Sequence, residues 1–298
     1  MTDGQPNPRR YFISGTGFDA PALAPGLYVV ATPIGNLRDI TIRALETLAA
    51  ADLVLCEDTR TSARLLDHYG IKARRQALHE HNERARIGEI AERLRRGEAI
   101  ALISDAGTPL LSDPGFPLLR ALAEESLPVF AIPGASALLS ALVVAGLPTD
   151  AFAFHGFLPA KAGARANALE KLADSRETLV FYESPRRLAD TLAGMAQALG
   201  AERQAAVALE LTKRFERVRR GTLADLAAEF AQGETRGEAV ILVAGAPEMV
   251  VEAADWQAAL AAALKEQKLR AAVDDIASTY GLKRKDVYDA ALALKNQG

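Results

Sequence analysis

The feature that most constrains this chain is the regular alternation of short apolar runs and amphipathic stretches between residues 27 and 132. "LYVVATP", "LVLCED", "AIALISD" and "PVFAIPG" read as strands. Between them, "DITIRALETLAAAD" reads as a helix with Asp39 as its expected N-cap and Leu45 and Leu48 on its apolar stripe, and "TSARLLDHYG" as one stopped by Gly70. "RIGEIAERLRRGE" and "FPLLRALAEES" complete the series. Strands this continuously apolar, separated by helices, imply a largely parallel sheet covered on both faces. Beyond residue 133 the alternation loosens, and "AFAFHGFLP", "ETLVFYESP", "AAVALELTK" and "EAVILVAG" suggest a second α/β domain with a mixed sheet. The expected organisation is a flexible segment over 1–24, two α/β domains over 25–132 and 133–246, a linker around "APEMVVEAADW", and a small helical unit over 255–298.

Composition narrows the function classes. The 298 residues contain no run of about 18 apolar positions, and "MTDGQPNPRRYFISGTGF" lacks the apolar core of a secretory signal, so no membrane partner is expected. A single cysteine, Cys56, allows no internal disulfide and fits a reducing cytoplasm. Four histidines form no HExxH pattern, and "HEHNE" is better read as a solvated loop than as a metal site, so no metal is expected. A net charge of −3 excludes a wholly basic coat; a nucleic-acid partner must be held by a local patch.

In an open α/β sheet the loops at the carboxyl ends of the strands line the ligand crevice. Four distinctive segments occupy such positions: "TPIGNLRD", "CEDTRT", "SDAGTPLLSDPG" and "PGASA". None is GxGxxG or GxxxxGK[ST], which disfavours a pyrophosphate ligand. Gly107 and Pro109 suit close approach of the backbone to a small ligand.

These segments, with "FHGFLP", "FYESPRR" and "ELTKRFE" in the same order, closely resemble the tetrapyrrole-methylase-like superfamily of S-adenosylmethionine-dependent methyltransferases, and within it the branch that methylates small-subunit ribosomal RNA. The resemblance spans about residues 27–246, and the helical tail shares it. It implies two α/β domains with the cofactor folded between them, and methyl transfer to the ribose 2′-oxygen of a decoding-centre cytidine in 16S ribosomal RNA, within the small ribosomal subunit, by a homodimer. It further implies cofactor contacts from Pro33, Gly35, Gly107, Thr108, Pro109, Ser112, Ala135, Ser136, Tyr182, Leu209 and Ala239. Where small-molecule members carry Gly-Gly-Asp-Pro, this chain has Ala106-Gly107-Thr108-Pro109, which leaves Asp105 the weaker candidate for an acidic contact. Two alternatives stay open: methylation of a small tetrapyrrole, and a non-catalytic RNA-binding module on the same fold.

A ribose hydroxyl is a poor nucleophile, so a positioned base is expected. Glu57, Asp58, Glu183 and Glu210 adjoin strand ends, and Lys213 could serve as base or as partner of the developing alkoxide. Each has an alternative as an ion pair with a neighbour such as Arg60 or Arg186. For RNA, "KRFERVRRG" supplies Arg214, Arg217, Arg219 and Arg220, with Arg60, Arg186 and Arg187 as further candidates. In the tail, residues 278–281 read as a turn, after which Lys283, Arg284 and Lys285 start a helix.

Overall fold

The computed structural model describes residues 9–233, 235–247 and 253–296. Two compact units divide after Ala246. Among the described residues no helix is long and apolar enough to cross a membrane.

The first unit opens with a hairpin of β1 (Arg10–Ile13) and β2 (Thr16–Asp19). Ser14 and Gly15, with φ of 50° and 84°, supply the left-handed pair that a tight two-residue hairpin turn requires. Tyr11 is buried in the core beside Leu45 and Leu48, and the Phe12 amide donates to the Tyr69 carbonyl at 2.8 Å. The flexible lead-in expected over 1–24 is therefore corrected for residues 10–19, which an apolar anchor holds down; residues 1–8 lie outside the described residues.

A five-stranded, wholly parallel sheet follows, in the order β5-β4-β6-β3-β7. Its strands are β3 (Gly26–Val30), β4 (Leu53–Cys56), β5 (Arg75–Ala77), β6 (Ala99–Ile103) and β7 (Val129–Ile132). Four helices cover it: α1 (Ile42–Ala50), α2 (Thr59–His68), α3 (Glu83–Arg95) and α4 (Phe116–Glu124). Side chains alternate between faces along each strand, so Ala101 and Ile103 pack with α1 and α2 while Ile100 and Leu102 pack with α3 and α4. Burial on both faces is why "AIALI" is apolar throughout. Asp39 is not the cap of α1. It closes a 3-10 turn over Leu37–Asp39, and Thr41 caps the helix by accepting from the Ala44 amide at 3.1 Å.

The second half of this unit holds α5 (Ala137–Ala145), β8 (Phe152–Phe157), α6 (Ala162–Glu170), β9 (Thr178–Glu183), α7 (Leu188–Leu199), β10 (Gln204–Leu209), β11 (Arg217–Thr222), α8 (Leu223–Ala231) and β12 (Ala239–Val243). Its sheet order is β11-β10-β12-β9-β8, with only β8 and β9 parallel. One face packs on α7 and α8 through Phe181, Leu192 and Ile241. The other receives α5 together with Ile34 from the first half, which meets Leu138, Leu142 and Val240 in an apolar seam. Ile34 is almost fully buried there, worth about 2 kcal/mol to the joint between the halves.

The second unit has three helices, α9 (Ala253–Glu266), α10 (Leu269–Tyr280) and α11 (Arg284–Asn296), around Leu260, Val273, Ile276 and Val287. Gly281, at φ 63°, ends α10 in a left-handed cap. The turn is thus 281–283, later than the expected 278–281, because "IASTY" still has apolar positions to bury.

Candidate active site

The loop between β6 and α4 is pinned at one point and strained beyond it. Gly107 exchanges backbone hydrogen bonds with Thr32, at 2.8 and 3.0 Å, across the tips of β6 and β3. Leu110 and Ser112 then adopt φ of 76° and 74°, each costing about 1–3 kcal/mol for a residue with a side chain. Ser112 faces the other half: its hydroxyl lies 2.7 Å from where a side chain on Gly156 would begin, so that position admits no Cβ without a shift. Gly156, at φ 60°, sits where the β8–β9 register breaks between Phe154 and Phe157, a bulge that re-aims the strand beside the site.

Between the halves this loop bounds a cleft of about 380 Å³, within the roughly 300–1,000 Å³ of small-molecule sites. Asp105, Gly107, Thr108, Ser112 and Asp113 line one wall, while Tyr182, Glu183, Ser184 and residues 237–240 line the other. The Tyr182 hydroxyl accepts from the Leu138 amide at 3.2 Å, which fixes the ring against Phe154 and Phe157. Four carboxylates and no basic side chain face this space: Asp105, Asp113, Glu183 and Glu238.

Those carboxylates differ in state. Burial, then the charge of Glu57, pushes the Asp113 carboxyl up to about 6, with the Ser104 hydroxyl offsetting part of the rise and Asp105 adding to it. Glu57 is also raised, by burial and then by Asp105 and Glu80. Glu183 is fully engaged: it accepts from Thr191 Oγ1 at 2.7 Å and the Ser184 amide at 2.7 Å, and pairs with Arg187 at 3.3 Å.

Several residues expected at the site stand elsewhere. Asp58 caps α2, accepting from the Arg60 amide at 2.8 Å and pairing with the Arg60 guanidinium at 2.9 Å, which holds its carboxyl low. Lys213 lies on Gly35, and its ammonium bonds Glu210 at 2.9 Å and Glu238 at 3.2 Å. Burial pulls the Lys213 pKa down, but these two acids outweigh it and the net shift is upward, against a role as neutral base. Leu209 points into the core of the opposite sheet face with Phe181, so its side chain is turned from the cleft. Ala135 accepts from Thr108 Oγ1 at 3.1 Å, and Ser136 caps α5; neither they nor Pro33, Gly35 and Pro109 line the cleft.

Among the basic candidates, Arg187 donates to the Leu158 and Pro159 carbonyls and Arg220 to the Val144 and Ala145 carbonyls at the end of α5, which commits both to structure. Arg219 pairs with Glu229 and Arg284 with Asp274. Arg214 and Arg217 are exposed, and the former lies over the exposed Phe215 ring. Arg186 is also exposed, and Lys283 and Lys285 flank the start of α11. Asp113 carries no signal of its own in the sequence, since an Asp before Pro-Gly in "SDPG" is ordinary turn chemistry. Ile34 and Phe157 gave no signal short of the fold.

Two α/β halves closing on an acidic cleft define a protein that binds a small, positively charged ligand at strand ends. The chain belongs to the tetrapyrrole methylase family: the model for "Tetrapyrrole (Corrin/Porphyrin) Methylases" matches residues 26–227. It is accordingly an S-adenosylmethionine-dependent methyltransferase. The "RsmI C-terminal HTH domain" model matches residues 250–295. A protein called ribosomal RNA small subunit methyltransferase I from Mesorhizobium japonicum is 49% identical over 95% of this chain and 97% of its own length. One of the same name from Haemophilus influenzae is 46% identical over 90% of this chain and 96% of its own. Among solved structures, uroporphyrin-III-C-methyltransferase from Thermus thermophilus aligns with TM-score 0.53 at 21% identity over 74% of this chain and 94% of its own, a likeness of fold. The cleft fits the cofactor: with Glu183 and Glu238 already paired to Arg187 and Lys213, Asp105 and Asp113 remain to face its positive charge, and the wall also offers the apolar surface of Phe157, Tyr182 and Val240.

Proposed function

We propose that this chain methylates the ribose 2′-oxygen of a decoding-centre cytidine in 16S ribosomal RNA, acting on the small ribosomal subunit in the cytoplasm as a homodimer. The observation that carries it is the pairing of an acidic cleft, suited to a cationic methyl donor, with relatives 42–52% identical that bear the name ribosomal RNA small subunit methyltransferase I. Support for the dimer comes from α5, where Leu139 and Val143 are exposed on a helix that is apolar but for Ser140.

Bound in the cleft, S-adenosylmethionine supplies a methyl group on a positively charged sulfur. Gly107, Thr108 and Ser112 hold the donor from the first half, and Tyr182 and Ala239 from the second, with Asp105 near its charge. Closure between two rigid sheets lowers the barrier chiefly by alignment, because an in-line displacement tolerates little angular error. Arg214 and Arg217, with Arg186 and the Lys283–Lys285 segment of the second unit, bind RNA phosphates. The test is mass spectrometry of 16S ribosomal RNA from a strain lacking the protein, with methylation restored on isolated small subunits by adding it back. One 2′-O-methylcytidine should vanish and return; unchanged ribosomal RNA together with methylation of a porphyrinoid acceptor contradicts the proposal.

A further inference from the structure

Among the described residues, Asp113 alone lines both the donor cleft and the cavity at the start of α3 and α4. On one side lies the donor cleft; on the other, a second cavity of about 290 Å³ lined by Glu80, Arg84, Asp113, Gly115, Phe116 and Pro117, among others. Phe116 begins α4 and is 68% exposed, although a large apolar side chain gains nothing from water. Arg84 is exposed beside it at the start of α3, with no ion pair among the described residues. A cation and an exposed ring beside a half-buried carboxylate match a nucleotide in its three parts: phosphate, base and sugar hydroxyl.

Building on the RNA substrate proposed above, we infer that the second cavity receives the acceptor nucleotide and that Asp113, in the wall between donor and acceptor, is the general base for the 2′-hydroxyl. Arg84 takes a flanking phosphate and Phe116 stacks on the base. Asp113 Oδ accepts the hydroxyl proton, the oxygen lone pair forms the bond to the methyl carbon, and the sulfur–methyl pair returns to sulfur, leaving a neutral thioether. Asp113 then gives its proton to water. A carboxyl held near 6 is better placed for this than an ordinary aspartate, being a stronger base and still ionised at neutral pH. The charged and titratable groups that face it are Glu57 and Asp105 from neighbouring strand ends, Tyr182, Glu183 and Glu238 across the cleft, and Glu80, Glu83 and Arg84 across the second cavity. With acids predominant, the carboxyl stays raised until a cation binds.

The experiment combines kinetics, binding and direct titration on the full chain. On small subunits, kcat/KM of the parent should rise about tenfold per pH unit below about 6 and level above it. Asp113→Asn should lower kcat at least about 100-fold while S-adenosylhomocysteine affinity by calorimetry stays within about threefold. Asp113→Glu should recover part of the loss, and Phe116→Ala should raise KM with little change in kcat. Carbon-13 NMR of the protein without ligand should show a carboxyl titrating near 6 that Asp113→Asn removes. A parental rate in Asp113→Asn, an unchanged acid limb, or a loss that tracks lost S-adenosylhomocysteine affinity overturns the inference. Parent protein inactive on small subunits overturns the substrate proposal instead.

Discussion

Two loops, one from each half of the methylase unit, end buried strands and face the same region, yet they treat their acids in opposite ways. The 104–115 loop after β6 and the 210–216 loop after β10 both hold side-chain-bearing residues at positive φ: Leu110 and Ser112 in the first, Glu210 and Thr212 in the second. In the second loop, Lys213 bonds Glu210, and although burial raises the Glu210 pKa, that bond and the Glu238 amide carry it below its usual value. In the first, Asp113 has no cation bonded to it among the described residues, and burial with neighbouring acids pushes it up to about 6. Strain is thus common to both loops, while a free, weakly acidic carboxylate is found only in the first. On the mechanism proposed above, the donor-side chemistry falls to the 104–115 loop, while the ion pairs of Lys213 tie the 210–216 loop to the wall opposite.

The largest effect expected from disturbing the first loop is that of Gly107→Val. A branched residue is strained at φ 80°, and its Cβ would stand 3.2 Å from Ile34 Cγ2, in the seam between the halves. S-adenosylhomocysteine affinity should fall at least about 100-fold by calorimetry, with the far-ultraviolet circular dichroism unchanged. Next is Glu183→Ala, which leaves Arg187 and Thr191 without their buried partner and should lower stability by about 3 kcal/mol in urea.

Stability against pH separates the loops further. The folded Asp113 pKa is raised, so its protonation stabilises the fold fully below the unfolded value near 3.8, and that contribution is lost as pH rises through about 6. Asp113→Asn should therefore be more stable than the parent by about 1 kcal/mol at pH 8, after discounting for partial exposure, and no more stable at pH 3. The folded Glu210 pKa is lowered, so its contribution is present above the unfolded value near 4.5 and is lost as pH falls; Glu210→Gln should cost stability at pH 7 and nothing at pH 3. The smallest effect is on RNA: replacing Arg214 and Arg217 by Ala should lower the slope of log affinity against log salt by about 1–2, whereas Arg219→Ala should leave it unchanged because Glu229 already neutralises that charge.

The first half of the fold was legible because its strands are buried on both faces, so "LVLC" and "AIALI" declare themselves. Two of the four edge strands of the large sheets were not: "RQA" of β5 and "RVRRGT" of β11 place polar side chains outward and resemble loops or a charge patch, whereas the apolar β7 and β8 were read as strands. The basic run in β11 looked like a uniform phosphate-binding surface, but the pleat divides it, turning Arg220 onto α5 and Arg219 toward Glu229. The glycine- and proline-rich loop after β6 was visible as a site from turn chemistry alone. Which of its acids is free was not, since that depends on where the fold places cations, whether two positions away, as Arg60 for Asp58, or 25 positions away, as Lys213 for Glu238.

The most direct measurement is a crystal structure of the chain with S-adenosylhomocysteine. The ligand should lie between the two halves, contacting Gly107, Tyr182 and Ala239 at once, with Asp113 on the acceptor side of its sulfur. A ligand held by one half alone, or seated with its sulfur turned toward Lys213 and Glu210, would contradict the assignment of the chemistry to the 104–115 loop.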